Sequence, residues 1–195
     1  IKTFWRSFTL EASFSYERMQ ALGYAFCMIP IFKRLYKTKE QMSEALKRHM
    51  DIFNTTPHVV SFIMGISAAM EEQNSNDKNF DSESINSVKV ALMGPMAGIG
   101  DSFFWGTLRV IAAGIGVSLA TKGSILGAIL FLLIFNIPHL LVRYYGLFLG
   151  YKAGTSILKS ASENGIMQKL SKGATIIGLM VVGAMTGTMV AFTTP

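Results

Sequence analysis

The sequence predicts an all-α integral membrane protein with interrupted and re-entrant helices and an amphipathic N-terminal region on the cytoplasmic side. Half of the residues are hydrophobic and 15% are charged, against roughly 25% charged in a typical soluble domain. The mean hydropathy is +0.39. Apolar stretches at 88–121, 123–151 and 173–195 are long enough to cross a bilayer, since a crossing helix needs about 20 apolar residues.

Residues 1–57 are predicted to form amphipathic helices at the cytoplasmic membrane interface. Within this region 39–53 has apolar residues on one helical face. It is followed by Asn54-Thr-Thr-Pro57, where proline forbids continuation of the helix and the residue before it prefers an extended backbone. Residues 1–50 carry nine Lys or Arg against four acidic residues, so the positive-inside rule places this end in the cytoplasm. The basic residues lack the stacked aromatic platform of single-strand binders, and we expect no nucleic-acid binding.

Residues 58–195 are predicted to form the membrane domain. Segment 58–70 is apolar but too short to cross, which favours a re-entrant helix, and 71–87 is predicted to be a polar loop. A broken span at 88–121 would run outward and a span at 123–151 back inward. A basic amphipathic segment, 152–172, would then lie in the cytoplasm before a last span at 173–195.

Asp101 is the strongest functional candidate, because it is the only acidic residue between Ser84 and Ser162. An unpaired carboxylate at membrane depth is costly and normally faces a protein interior or a watery cavity. Four glycines and a proline within 93–106 predict an interrupted helix, which is how transporters build midplane sites. Asp101 would hydrogen-bond a polar solute or couple to an ion; alternatively, it would cap a helix that begins at Ser102.

Other polar residues allow two interpretations each. Glu71 and Gln73 would reach a cavity mouth or lie at a solvated helix end, and Asn54 would bind a ligand or cap an Asx turn. Glycines one turn apart at Gly146, Gly150 and Gly154 predict a close helix contact. The single cysteine, Cys27, is expected to be a small buried apolar residue.

Catalytic motifs such as a Walker loop, HExxH, GxSxG and CxxC do not occur in the sequence. Its histidines, His49, His58 and His139, lie in unlike contexts without metal-ligand spacing. His139 could line a cavity, but a structural role is the default. We therefore expect neither a cofactor nor a metal, and no enzymatic activity.

Several motifs together resemble the IID subunit of mannose-class sugar phosphotransferase systems, over nearly the whole chain. They are Glu17-Arg-Met-Gln-Ala-Leu-Gly23, His49 with Phe53-Asn-Thr55, Glu71-Glu-Gln73, Lys89-Val-Ala-Leu-Met-Gly-Pro95, Gly98-Ile-Gly-Asp101, Phe104-Trp-Gly106 and Arg143-Tyr-Tyr-Gly146. Because members of this family continue further, a C-terminal part is expected to be absent from this sequence. The candidate substrate-binding residues are polar side chains in these motifs, namely Asp101, Gln20, Asn54, Glu71 and Gln73.

The resemblance implies a multi-pass subunit of a bacterial cytoplasmic-membrane complex. With IIC it would translocate mannose, glucose and related hexoses to a cytoplasmic IIAB protein, whose own histidines carry the phosphoryl group. It also implies an oligomer of IIC–IID pairs in contact with lipid, and a receptor for some pore-forming bacteriocins of the class IIa type. Two other classes stay open: a structural partner that braces a sugar-binding IIC, and an unrelated ion-coupled transporter in which Asp101 titrates.

Overall fold

The computed structural model of the protein describes residues 1–161, and within them it is helical. The predicted span 173–195 and most of segment 152–172 lie outside the described residues. The helices are α1 (Lys2–Ser7), a 3-10 turn (Leu10–Ser13), α2 (Ala21–Leu35), α3 (Lys39–His49), α4 (Val60–Asn76), α5 (Glu83–Gly100), a π-helical segment (Asp101–Leu108), α6 (Arg109–Ala120) and α7 (Leu126–Ala161). Isolated β-bridges within residues 1–161 pair Ser15 with Met19 and Met19 with Phe53.

The N-terminal helices pack around α4 and enclose a buried core that includes Tyr24, Met28, Phe32, Ile63 and Met64. Helix α3 begins at a reciprocal capping box in which Thr38 and Gln41 satisfy each other's backbone N–H groups. It ends at His49, earlier than the predicted 39–53, and residues 50–59 form a non-helical connection to α4. The region predicted to be amphipathic helices is therefore a packed helical body.

A long apolar hairpin follows this helical body. Residues Glu83–Ala120 and Leu126–Ser156 are each long and apolar enough to cross a membrane, and 11% of the most apolar window of each is buried. The connecting turn contains Gly123, whose positive φ of 74° favours glycine. These helices correspond to the predicted spans 88–121 and 123–151, and the all-α membrane fold class is confirmed.

Glycines set the contact between α4 and α7. A methyl group on Gly150 would lie 2.0 Å from the Phe62 carbonyl oxygen, and one on Gly65 would lie 2.2 Å from the Leu147 carbonyl oxygen. Gly146 packs on Ser61 and Gly154 on Ala69. The glycine series at 146, 150 and 154 is a close helix contact, as predicted.

The boundary between α4 and the following loop differs from the prediction of a polar loop at 71–87. Helix α4 continues through Asn76, because Glu71 is buried and paired inside the helical body rather than solvated. The connection is residues 77–82, in which the carboxylates of Asp77 and Asp81 accept local backbone N–H bonds. That segment 58–70 is re-entrant stays a prediction.

Candidate functional site

Asp101 lies at the first residue of the π-helical segment, and the helix is continuous across it. Its backbone angles are φ −65° and ψ −44°, and the Arg109 N–H at the end of the segment bonds the Phe104 carbonyl. The predicted interruption is thus a π-helical widening, a feature that is frequent at functional sites. The helix-cap interpretation of Asp101 is wrong, since no helix begins at Ser102.

The Asp101 carboxylate is bonded by a residue from another part of the chain. Thr56 Oγ1 lies 2.6 Å from Asp101 Oδ1 and 3.0 Å from the Ala97 carbonyl oxygen. The single hydroxyl proton is shared between these two acceptors, and the carboxylate is the nearer. Asp101 is otherwise exposed on this chain, in the middle of a helix long and apolar enough to span a membrane.

Two consecutive threonines attach the non-helical segment 53–57 to α5. Thr55 Oγ1 donates to the Met93 carbonyl at 3.1 Å, one helical turn before the Ala97 carbonyl that Thr56 approaches. Gly100 permits this close approach, because a methyl group there would lie 2.6 Å from Thr56 Cβ. The two hydroxyls thus reach carbonyl oxygens on successive turns of α5.

Gln20 holds the threonine segment in place. Its Nε2 donates to the Thr55 carbonyl at 2.8 Å, and its Oε1 accepts from the Thr55 N–H at 2.9 Å. The same Nε2 also donates to Glu11 Oε1. Because both amide hydrogens are used and the residue is buried, the structure places Gln20 as a support for Thr55 and Thr56 and not as a free ligand group.

Glu71 belongs to a separate buried network within the helical body and does not lie at a cavity mouth. His49 Nε2 is 2.8 Å from Glu71 Oε1, Arg48 Nε is 3.5 Å from the same oxygen, and Tyr36 Oη donates to the other carboxylate oxygen. Asn74 donates to Tyr36 Oη at 2.9 Å. These contacts make Glu71 part of the packing of α2, α3 and α4.

The pKa values in this network follow from burial and pairing. Burial alone would raise the pKa of Glu71, but the hydrogen bonds from His49 and Tyr36 and the charge of Arg48 outweigh it and lower that pKa. Burial lowers the pKa of His49 despite its bond to Glu71. Burial also raises the pKa of Cys27, the predicted small core residue, to about 12.

Asn54 and Gln73 are exposed at the surface of the described chain. Asn54 is next to Thr55, and Gln73 is on the outer face of α4. Of the five candidate residues, the structure connects two, Gln20 and Asp101, through the threonine segment. Glu71, Asn54 and Gln73 lie outside this connection.

A histidine–aromatic cluster beside Asp101 is a component that the sequence analysis missed. The His58 ring stacks on Phe104 at 4.2 Å between centroids, and His139 from α7 lies 4.5 Å from His58. Trp105 meets the edge of His58, and Arg143 Nη2 donates to the Pro57 carbonyl. The available signal was a repeated Pro-His dipeptide, at 57–58 and 138–139.

This cluster offers polar atoms in an apolar setting. Within residues 1–161, His58 Nδ1, His139 Nε2 and Arg143 Nε are buried without a hydrogen-bond partner. Neutral imidazole can donate and accept hydrogen bonds. Together with the Asp101 carboxylate and the aromatic rings, these groups suit an uncharged ligand rich in hydroxyl groups.

Comparison with known proteins places the chain in one family. The model for the mannose/fructose/sorbose family IID component of the phosphotransferase system matches residues 1–195. The mannose-specific EIID component of Escherichia coli K12 is 46% identical over 93% of this chain. The sorbose-specific EIID component of Klebsiella pneumoniae is 47% identical over 95% of it, and the fructose permease IID component of Bacillus subtilis is 47% identical over 93%.

A solved structure agrees with these relatives. The cryo-EM structure of the mannose transporter ManYZ with microcin E492 contains a chain that is 46% identical, with a TM-score of 0.87. The match covers 94% of this chain and 67% of that one. This chain spans 64% of the length of the Escherichia coli relative and 67% of that of the Klebsiella protein. The chain belongs to the IID component family of the mannose/fructose/sorbose phosphotransferase systems.

Proposed function

We propose that this chain, with a IIC subunit, carries mannose- or glucose-type hexoses across the bacterial cytoplasmic membrane for phosphorylation by a cytoplasmic IIAB protein. The observation that carries the proposal is Asp101, a carboxylate held by Thr56 in the π-helical segment of a membrane-length helix. A transported sugar needs hydrogen-bonding groups at membrane depth, and this segment supplies them. The names of the relatives favour a hexose or a closely related sugar.

The exposure of Asp101 supports a subunit contact. A carboxylate is too costly to face lipid, so in the membrane it must meet water or a partner. The surrounding hairpin surface is apolar and largely uncovered, with Val110, Ile111 and Val117 all more than half exposed. We propose that a IIC subunit covers this side and that the sugar passes along the boundary, with IIC–IID pairs forming a larger oligomer in the bilayer.

The experiment is sugar uptake by cells that lack their own IID subunit but supply IIC and IIAB. The full-length protein should restore uptake of labelled mannose and glucose, and sorbose and fructose should be tested in parallel because relatives carry those names. If none of the four sugars is taken up, the proposal is contradicted. Uptake of sorbose or fructose alone would correct the substrate and leave the transport role in place.

The same assay separates the alternative functions. Under the proposal, uptake depends on phosphoenolpyruvate and the soluble phosphocarriers, because phosphoryl transfer takes place on IIAB. An ion-coupled transporter would respond instead to removal of the membrane proton gradient. A subunit that only braces IIC would tolerate loss of the Asp101 carboxylate at normal abundance.

We propose that the N-terminal region lies on the cytoplasmic side of the membrane, at its interface, so that α5–α6 runs outward and α7 returns. The basic cluster at the end of α2 supports this orientation, because Lys33, Arg34, Lys37 and Lys39 resist translocation. A cysteine introduced at Lys39 in a Cys27→Ser background should react with a membrane-impermeant maleimide only after the cells are opened. Strong labelling of intact cells would reverse the topology.

A second function, as a bacteriocin receptor, is favoured by the ManYZ structure, which contains microcin E492. We propose that a complex containing this chain binds a pore-forming bacteriocin. Expression of the full-length protein with IIC in a resistant host lacking both should confer sensitivity to microcin E492 or to class IIa bacteriocins. Resistance to all of them, with sugar uptake intact, would reject the receptor role alone.

A further inference from the structure

A cleft that shares no residue with the surroundings of Asp101 lies between the start of α1 and helices α2, α4 and α7. Its volume is about 570 Å³, and α2 contributes Pro30, Ile31, Arg34 and Leu35. Helix α7 contributes Leu147, Phe148 and Tyr151. The candidate sugar site uses none of these residues, so the cleft requires its own explanation.

The three helices run in the same direction along the cleft. Tyr24 at the start of α2 bonds Ser67, whereas Tyr36 after its end bonds Glu71. Gly146 of α7 lies beside Ser61, and Gly154 lies further along, beside Ala69. Moving along the cleft in one direction therefore meets later residues of all three helices.

Each helix changes from apolar to polar at the same end. On α2, Ile31 is followed one turn later by Arg34; on α4, Ala68 is followed by Glu72; and on α7, Leu147 is followed by Tyr151. The membrane-length part of α7 ends at Ser156, so the polar end lies where a bilayer gives way to its headgroups. Tyrosine is enriched at that depth.

The polar end of the cleft is positively charged. Arg34 and Lys2 line it and make no hydrogen bond or salt bridge within residues 1–161, while the Glu72 carboxylate accepts from Tyr151 Oη. Lys33, Lys37 and Lys152 are also exposed, and each is within three positions of Arg34 or Tyr151 in the sequence. Clusters of Lys and Arg beside apolar membrane segments bind anionic lipid headgroups.

We propose that this cleft binds an anionic phospholipid. Its phosphate lies at Arg34 and Lys2, and one acyl chain lies on Ile31, Leu147 and Phe148. A zwitterionic lipid fits the apolar part equally well but gains less from the two cations. This proposal does not depend on the transport function, and its test does not use transport.

The test uses the full-length protein purified with its membrane partner in a neutral detergent. Native mass spectrometry measures binding of phosphatidylglycerol and of phosphatidylcholine with identical acyl chains. We expect phosphatidylglycerol to bind about fivefold more tightly and Arg34→Ala to abolish most of that preference. Phe148→Ala should weaken both lipids alike, since Phe148 is half exposed and contacts only the chain.

Lys122→Ala is the matched control, because it removes one positive charge at the opposite end of the hairpin and should leave the preference unchanged. Equal binding of the two lipids, or an unchanged preference in Arg34→Ala, would overturn the proposal. So would displacement of phosphatidylglycerol by inorganic phosphate, since a simple anion site needs no acyl chain. Absence of any tightly bound lipid in the wild-type protein would also reject it.

Discussion

Thr56 and Asp101 are 45 positions apart in the sequence, yet the threonine hydroxyl lies 2.6 Å from the aspartate carboxylate. This bond joins the helical N-terminal body to the membrane-length helix at its π-helical segment. It also orients a carboxylate that would otherwise rotate freely on an exposed helix face. The environment of Asp101 therefore includes the segment that carries Thr56.

Replacing Thr56 with valine tests whether this bond matters. Valine has nearly the same shape but no hydroxyl, so Asp101 and the Ala97 carbonyl lose a shared donor, at a cost of about 1–3 kcal/mol. We expect sugar uptake to fall more than membrane abundance does. Thr56→Ser keeps the hydroxyl and is the control; uptake by Thr56→Val equal to that of Thr56→Ser would show that the bond is dispensable.

Replacing Gln20 with leucine should destabilise the protein without removing a group that touches the sugar. The buried peptide of Thr55 and the Glu11 carboxylate would lose their partners, which we expect to cost about 1–3 kcal/mol. Thermal unfolding of the purified full-length protein measures the loss. Gln73→Leu is the matched control, since Gln73 is exposed and surface changes cost at most about 0.5 kcal/mol. Equal unfolding temperatures for the two variants would contradict the role of Gln20 as a support for Thr55 and Thr56.

Alanine at Gly150 should disrupt the contact between α4 and α7. The added methyl group would lie 2.0 Å from the Phe62 carbonyl oxygen, and the backbone cannot move away without separating the two helices. We expect loss of most of the folded protein from the membrane. Gly114→Ala is the control, because nothing lies within 4 Å of a methyl group there. Normal abundance of Gly150→Ala would mean that the helices pack less closely than described.

Stability should decrease as the pH falls below about 6.5, the ordinary pKa of histidine. Burial lowers the pKa of His49, so the unfolded chain takes up a proton that the folded chain does not. This difference costs up to about 1.4 kcal/mol per pH unit. The lowered pKa of Glu71 adds a further loss only near its own titration, at lower pH.

The measurement is the unfolding temperature between pH 7.5 and pH 5. His49→Gln keeps a hydrogen-bond donor for Glu71 but cannot take up a proton. The unfolding temperature of this variant should therefore fall less steeply with decreasing pH than that of the wild type. A curve equally steep in this variant would mean that His49 is already protonated in the folded protein, in an ion pair with Glu71.

The parts of this structure that the sequence predicted depend on local pattern or composition. Neighbouring residues alone were enough to recognise three features: the lone carboxylate at 101, the apolar spans, and the glycine series at 146, 150 and 154. The pairing of Gln20 with Thr55 was not predicted. The two residues are far apart in the sequence, and a single side chain that binds a distant peptide group leaves no repeating pattern. The meeting of His58 with His139 was also missed, since it follows from how α4 and α7 pack.

At Asp101 the sequence predicted an irregular helix but not the kind of irregularity. Glycines and a proline indicated an irregularity but could not distinguish a break from a π-helical widening. In the structure, Thr55 and Thr56 bond carbonyls on successive turns of the helix. Those bonds come from a segment whose position depends on the whole N-terminal body.

Hexose uptake by Asp101→Asn at matched membrane abundance tests the central claim most directly. Asparagine can still accept the Thr56 hydroxyl but lacks the charge, and a hydrogen bond to a charged group is the stronger kind. If the carboxylate binds a sugar hydroxyl, uptake should fall about tenfold, as expected for the loss of about 1.4 kcal/mol. Wild-type affinity and rate in Asp101→Asn would contradict the claim and leave Asp101 as a structural residue.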